Sequence, residues 1–226
     1  MKICLKLIWR ELVAIKKFLK VILTFVLIVV VFICGGKILK KEYNKQLIKK
    51  YGNETKNMSE DDLQTINKVI SLAKEKEGGE YTWGGKGEII TKERLEELIG
   101  EYGESYYPLD KKDYIGKQGF DCSGLTYWTY YTVTGINIGY STMEQKEILN
   151  DYKVSMDKLQ PGDLIFTTRH VVMYIGKGKI IHSASRSPYP VGGVKIDSLF
   201  YFKKGQAYRP IDYINNVKDW FSKSIQ

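Results

Sequence analysis

Phe120-Asp121-Cys122-Ser123-Gly124 runs directly into Leu125-Thr126-Tyr127-Trp128-Thr129-Tyr130-Tyr131, an apolar and aromatic segment with no Gly or Pro. The Asp-Cys-Ser cluster supplies cap-type residues, so the pattern predicts a helix that begins at Cys122. A thiol at a helix start faces unsatisfied backbone N–H groups, which pull a cysteine pKa from about 8.5 into a range of about 3.5–7.5. The other cysteines, Cys4 and Cys34, belong to the N-terminal region. Cys122 is therefore the candidate nucleophile, with a buried structural cysteine as the alternative that this residue alone does not exclude.

The histidines narrow the choice. The chain has two, His170 and His182, in a segment that reads as consecutive strands. Residues 164–167, 170–175 and 179–183 are apolar runs punctuated by Pro161-Gly162-Asp163 and by Gly176-Lys177-Gly178, a hairpin pattern. A three-residue Gly-Lys-Gly loop sets Ile175 opposite Lys179 and Val172 opposite His182, so the two imidazoles share one face. A two-residue loop would split them. A sulfur nucleophile needs a base beside it, and that base needs a group to hold its ring. Cys122, His170 and His182 fill those roles in that order.

These residues sit within strings that resemble the NlpC-type papain-like cell-wall cysteine peptidases: YTWGG at 81–85, FDCSGL at 120–125, LQPGDLIF at 159–166, HVVMYIGKGKIIHSAS at 170–185 and VKID at 194–197. Their order and content follow the family across about residues 78–210. The resemblance implies an α+β papain-like domain, an antiparallel sheet packed on helices. It also implies an endopeptidase that cuts peptidoglycan stem peptides, commonly between D-glutamate and a diamino acid. By position Cys122 is then the nucleophile, His170 the base and His182 the residue that orients it. Tyr81 matches a tyrosine beside the thiol that helps hold the oxyanion. Asp121 and Ser123 match positions that in some members grip the free amine of the terminal L-alanine, and Trp83 is a further candidate for substrate contact. Donors fixed where negative charge develops contribute about 10²–10³-fold each, which suits the Cys122 backbone N–H and the Tyr81 hydroxyl. For Asp121 a simple helix cap is an equal reading.

The first fifty residues belong to a different solvent. Residues 21–34 are an unbroken apolar run except for Thr24, extended by Phe18, Leu19, Gly35 and Gly36, near the roughly 20 residues that span a bilayer. No small-x-small cleavage site follows, and bulky Ile33 before Cys34 argues against a lipoprotein signal, so the run reads as a retained signal anchor. Residues 1–50 carry twelve Lys/Arg against Glu11 and Glu42, a net +10 that leaves −1 of the chain's +9 to the remainder. That partition describes a flank for anionic lipid and excludes a nucleic-acid surface. Basic flanks on both sides leave orientation open, and a catalytic domain outside the cell, facing the wall, follows from the substrate.

The expected organisation is an anchor at 1–36, a polar stalk at 37–58 and a catalytic domain at 59–226. Ser59, with Asp62 as its capping partner, opens a helix carrying Leu63, Ile66, Val69, Ile70 and Ala73 until Gly78-Gly79. Residues 86–119 are an insertion relative to the family: an amphipathic helix at 91–100 with Leu95, Leu98 and Ile99, then a stretch with Tyr102, Tyr106, Tyr107 and Tyr114. It reads either as a substrate wall or as cover for core surface. No cofactor and no metal is implied, since two histidines and one thiol without Cys-x-x-Cys spacing make a poor zinc site. Two other classes stay open: a muramoyl-L-alanine amidase or other acyl-transferring thiol enzyme on this scaffold, and a non-catalytic wall-tethering component of an envelope or DNA-transfer apparatus.

Overall fold

The computed structural model describes residues 57–184 and 187–224, with Ile22 and residues 54 and 55. The chain divides into Met1–Gln46 and Leu47–Gln226, and every element below belongs to the second unit. The apolar run 21–34 thus lies outside the described residues apart from Ile22; among the described residues no helix is long and apolar enough to cross a membrane.

In chain order α1 (Glu60–Lys74) precedes β1 (Lys86–Ile89), α2 (Lys92–Tyr102), α3 (Lys111–Tyr114), β2 (Gln118–Phe120), α4 (Cys122–Thr134) and α5 (Thr142–Ile148). Strands β3 (Lys153–Val154), β4 (Leu164–Phe166), β5 (Val171–Gly176), β6 (Lys179–Ala184), β7 (Gly193–Ser198) and β8 (Gln206–Tyr208) follow, then α6 (Pro210–Ser224). The last six strands form one antiparallel sheet in the order β3-β8-β4-β5-β6-β7.

Helix α4 is the centre of the domain. It starts where the sequence places it, because the Asp121 carboxylate accepts from the Gly124 N–H at 2.6 Å, and it stops at Gly135, whose left-handed backbone closes the C-terminus. Residues 122–127, Thr129 and Tyr130 are buried, so the helix is enclosed rather than one-sided. Its buried hydroxyls are satisfied locally: Thr129 Oγ1 donates to the Leu125 carbonyl at 2.9 Å. One flank meets α1, which buries Ile66, Val69, Ile70 and Ala73; the other meets β5 and β6. The Ser59 hydroxyl caps α1 by accepting from the Asp62 N–H at 3.1 Å. The helix ends at Lys74, short of Gly78-Gly79, where the chain instead bonds to β7 through Gly78 N–H to the Val194 carbonyl at 2.9 Å.

The β5–β6 hairpin differs from expectation in its turn and agrees in its outcome. The turn has two residues, Lys177 and Gly178, both left-handed at φ 53° and 68°, as a type I′ turn requires. Gly176 pairs with Lys179, yet Tyr174 pairs with Ile180 and Met173 with Ile181, so Ile175 is an extra residue in the ladder. This bulge shifts the register back by one. Val172 therefore stands level with His182, and both histidines face the same way.

The insertion is a folded unit. Strands β1 and β2 clamp its ends as an antiparallel ribbon, with Lys86 opposite Phe120 and Ile89 opposite Gln118. Thr91 caps α2 by accepting from the Arg94 N–H at 3.1 Å. Ile90, Leu95, Leu98, Tyr107 and Tyr114 form a small core of their own, with Trp83 and Tyr106 packed against it.

Candidate active site

Three segments converge on the first turn of α4. Cys122 is its first residue, 8% exposed, with its sulfur toward the backbone N–H groups of Val171 and Ser123. Val171 follows His170 in the chain, so the start of β5 brings the base candidate to the thiol. The 81–85 loop arrives from the other side: Asp121 N–H donates to the Gly85 carbonyl at 3.0 Å, and a Cβ on Gly124 would lie 2.0 Å from that oxygen. Only glycine at 124 lets the loop lie so close.

The thiol does not behave as its helix position suggests. Burial pushes Cys122 up to about 11 and the Asp121 carboxylate adds to the rise, while the Val171 and Ser123 N–H groups and the Lys86 ammonium pull the other way and lose. Loss of hydration outweighs the helix start, so the expectation of a depressed pKa is corrected. Burial, with His182 alongside, pushes His170 down to about 4. At neutral pH the site holds a thiol and a neutral imidazole.

His170 Nε2 and His182 Nδ1 are 2.7 Å apart, with ring planes at 70°. Phe202, in the helical turn after β7, packs at 6.1 Å from the His170 ring and 5.3 Å from the His182 ring. Behind His182, Lys195 stands opposite it in register, and Asp197 lies two residues further along the same face of β7. His182 Nε2 is buried without a well-formed hydrogen bond, and Asp197 Oδ2 stands 3.4 Å from it. Lys195 Nζ holds that carboxylate at 3.1 Å. Burial pushes His182 down to about 4, with Asp197 raising and Lys195 lowering it, so this contact joins a carboxylate to a neutral ring. Only one tautomer suits a carboxylate there: Nε2–H on His182 faces Asp197, His182 Nδ1 accepts from His170 Nε2–H, and His170 Nδ1 keeps its lone pair as a base.

Tyr81 is buried, bridged to Phe120, with its hydroxyl against the Cys122 backbone. Burial, followed by the nearby Cys122 and Asp121, holds its proton on, which leaves it a donor. Asp121 and Ser123 meet an ammonium group, and it is the chain's own: Lys86 Nζ lies 2.6 Å from Asp121 Oδ2 and 3.1 Å from Ser123 Oγ. Trp83 is half-buried among insertion aromatics, 4.6 Å from the Tyr106 ring, and its carbonyl accepts from the Tyr107 hydroxyl at 2.9 Å. The structure gathers Cys122, His170, His182 and Tyr81, which the sequence singles out, around the start of α4, and adds Lys86, Asp197, Lys195 and Phe202, which it does not. The VKID string contained Asp197, but its relation to His182 depends on strand register. A polar cleft of 480 Å³ lined by Asp62, Asp157, Lys158 and Arg209 holds no member of this cluster.

The NlpC/P60 family model matches residues 78–204. A murein DD-endopeptidase and LD-carboxypeptidase of Escherichia coli K12, MepS, is 37% identical over 95 residues, 39% of this chain and 47% of the relative. A gamma-D-glutamyl-L-lysine dipeptidyl-peptidase of Bacillus cereus is 44% identical over 73 residues, 29% of this chain and 21% of the relative. The NlpC/p60 domain of the peptidoglycan hydrolase SagA aligns at a TM-score of 0.43 and 29% identity, over 63% of this chain and 97% of that one. The chain spans less than half the length of the curated relatives it matches. With the family model covering more than half of its residues, the chain belongs to the NlpC/P60 family.

Proposed function

We propose that the chain is a membrane-anchored cysteine endopeptidase that hydrolyses amide bonds in peptidoglycan stem peptides, with the D-glutamyl to diamino acid bond as its target. The observation that carries this reading is the pair of imidazoles, 2.7 Å apart, His182 buried and His170 half-buried, beside the start of the Cys122 helix. Family membership supplies the substrate class.

In this mechanism the Cys122 sulfur attacks the scissile carbonyl carbon as His170 Nδ1 takes the thiol proton. The carbonyl oxygen gains the charge, and the Cys122 N–H and Tyr81 O–H stabilise it. Collapse breaks the C–N bond, and His170 returns the proton to the leaving amine. Water then attacks the thioester with His170 again as base, freeing the acid and the thiol. His182 and Asp197 hold the ring in the orientation and tautomer that leave His170 Nδ1 free to act.

Apolar residues 21–34 with basic flanks support the anchor, and a catalytic domain outside the membrane, facing the wall, follows from the proposed substrate. The full chain in detergent, given purified muropeptides, tests the reading: mass spectra should show cleavage between D-glutamate and the diamino acid. Cys122→Ala and Cys122→Ser should fall by about 10³-fold or more, with the thermal transition nearly unchanged. Cleavage by either at the wild-type rate would refute the mechanism, while a different product mass would move the activity to another bond.

A further inference from the structure

Beside the nucleophile, Asp121 and Ser123 form an anionic and hydroxylic notch that suits an ammonium ion. Its capacity is already used. Asp121 Oδ1 accepts from the Gly124 N–H at 2.6 Å and from Ser123 Oγ at 3.0 Å; Oδ2 takes Lys86 Nζ at 2.6 Å. Ser123 Oγ, 2.9 Å from the Tyr140 carbonyl, takes a second contact from Lys86 Nζ at 3.1 Å. Lys86 is not a loose surface side chain. It begins β1 opposite Phe120, follows the residue bonded to the Asp121 N–H, and is 24% exposed against 13% for Asp121.

We propose that Lys86 is a specificity-determining residue, a built-in ammonium that fills the acidic notch beside Cys122 and selects stem peptides whose first nitrogen is acylated over those with a free amine. This rests on the peptidase reading above. A free stem peptide would bring a second cation to a notch holding one carboxylate, and it must either evict Lys86 or lie beside a like charge. An acylated nitrogen carries no charge. Two of the three Lys86 N–H groups are used by Asp121 and Ser123, which leaves a third to meet the acyl carbonyl oxygen. The natural acylated form is the stem still joined through its amide to glycan, which is what an enzyme tethered before an intact wall encounters.

The test is a competition between one stem peptide with a free N-terminus and its N-acetylated form, with the glycan-linked muropeptide as a third substrate, using the full chain. The wild type should favour the acylated forms in kcat/KM by about tenfold or more. Lys86→Met and Lys86→Gln should cut that ratio by about tenfold or invert it, mainly through KM, and Lys86→Arg should keep its sign. Because Lys86 also lowers the thiol pKa, all rates shift in these variants, and the ratio is the readout. Faster cleavage of the free amine by the wild type, equal rates, or a ratio unmoved by Lys86→Met would each overturn the proposal, the first and second without any variant. Should no peptide be cut, the peptidase reading fails, and the relative affinity of Cys122→Ala for the two peptides still decides what the notch accepts.

Discussion

The site has two polar clusters within a few residues of the same sulfur, and they are built oppositely. His170 immediately precedes β5, while His182 and Asp197 stand on the next two strands, β6 and β7, with both histidine pKa values pushed down by burial and the rings in a fixed order. Asp121 and Lys86, an ion pair with the Ser123 hydroxyl beside it, join a helix start to the edge of the insertion, and both charged side chains stay partly exposed. In the proposed mechanism the first cluster moves a proton along a set direction, and it belongs to the scaffold. The second takes no proton itself, although its charges shift the thiol, and in the selectivity proposed above it decides which charge the site tolerates. Reaction and selectivity are thus carried by different pieces of chain.

If that division is right, the largest loss should come from the sheet. His170→Ala removes the proposed base and should lower kcat by about 10³-fold, with little change in substrate ratios. His182→Asn keeps one hydrogen bond to the ring and should retain a measurable rate. Asp197→Asn should lower kcat by about tenfold while KM holds, since it acts through the His182 tautomer. A change in the ratio of free to acylated substrate in either His182→Asn or Asp197→Asn would dissolve the boundary between the clusters.

Protons give the next test. With His170 pushed down to about 4 and the Cys122 thiol up to about 11, kcat/KM should rise with pH through the His170 value and then stay level across the neutral and mildly alkaline range. A thiolate–imidazolium pair would instead give a bell with an alkaline fall. Stability follows the same groups. Both histidines bind protons less well folded than unfolded, so their contribution is complete above about pH 6.5 and is lost as pH falls from there toward about 4. The loss should be on the order of a few kcal/mol for the pair, read from denaturant midpoints at pH 7 and pH 4.5. A Lys86→Gln chain should show the same slope, because the second cluster takes no part in it.

Much of the first cluster was legible in the chain; of the second, Asp121 and Ser123 were, and Lys86 was not. Asp121 and Gly135 bound a helix by local chemistry that needs no tertiary knowledge. The shared face of the histidines followed from strand period, although the structure reaches it by a two-residue turn plus a bulge at Ile175 instead of a three-residue loop. Asp197 stayed hidden because its meeting with His182 depends on the β6–β7 register. The thiol pKa failed for a different reason: helix position can be read from sequence, but the burial that outweighs it is the sum of the surrounding fold. Lys86 and Asp121 are 35 positions apart, joined only because the insertion folds into a ribbon that returns to its starting point. Its tyrosines divide as well: Tyr107 and Tyr114 are buried cover, while Tyr106 lies against Trp83.

That last division allows a smaller and sharper test. The Tyr107 hydroxyl donates to the Trp83 carbonyl at 2.9 Å, a side-chain hydrogen bond that ties the insertion's small core to the 81–85 loop. Tyr107→Phe keeps the ring, which is 6% exposed, and leaves that carbonyl without its partner. The cost should be about 1 kcal/mol, or a fall of roughly 2–4 °C in Tm for a domain of this size. The loop carries both Tyr81 and Trp83, yet Tyr81 is held independently by its bridge to Phe120 and by the Gly85 contact with α4. Loosening should therefore reach Trp83 and the substrate wall before it reaches the oxyanion donors. Tyr107→Phe should raise KM a few-fold, by about 1 kcal/mol at most, with kcat unchanged within about twofold. A fall in kcat at constant KM would mean that the insertion helps shape the transition state, and the separation of reaction from selectivity would not hold.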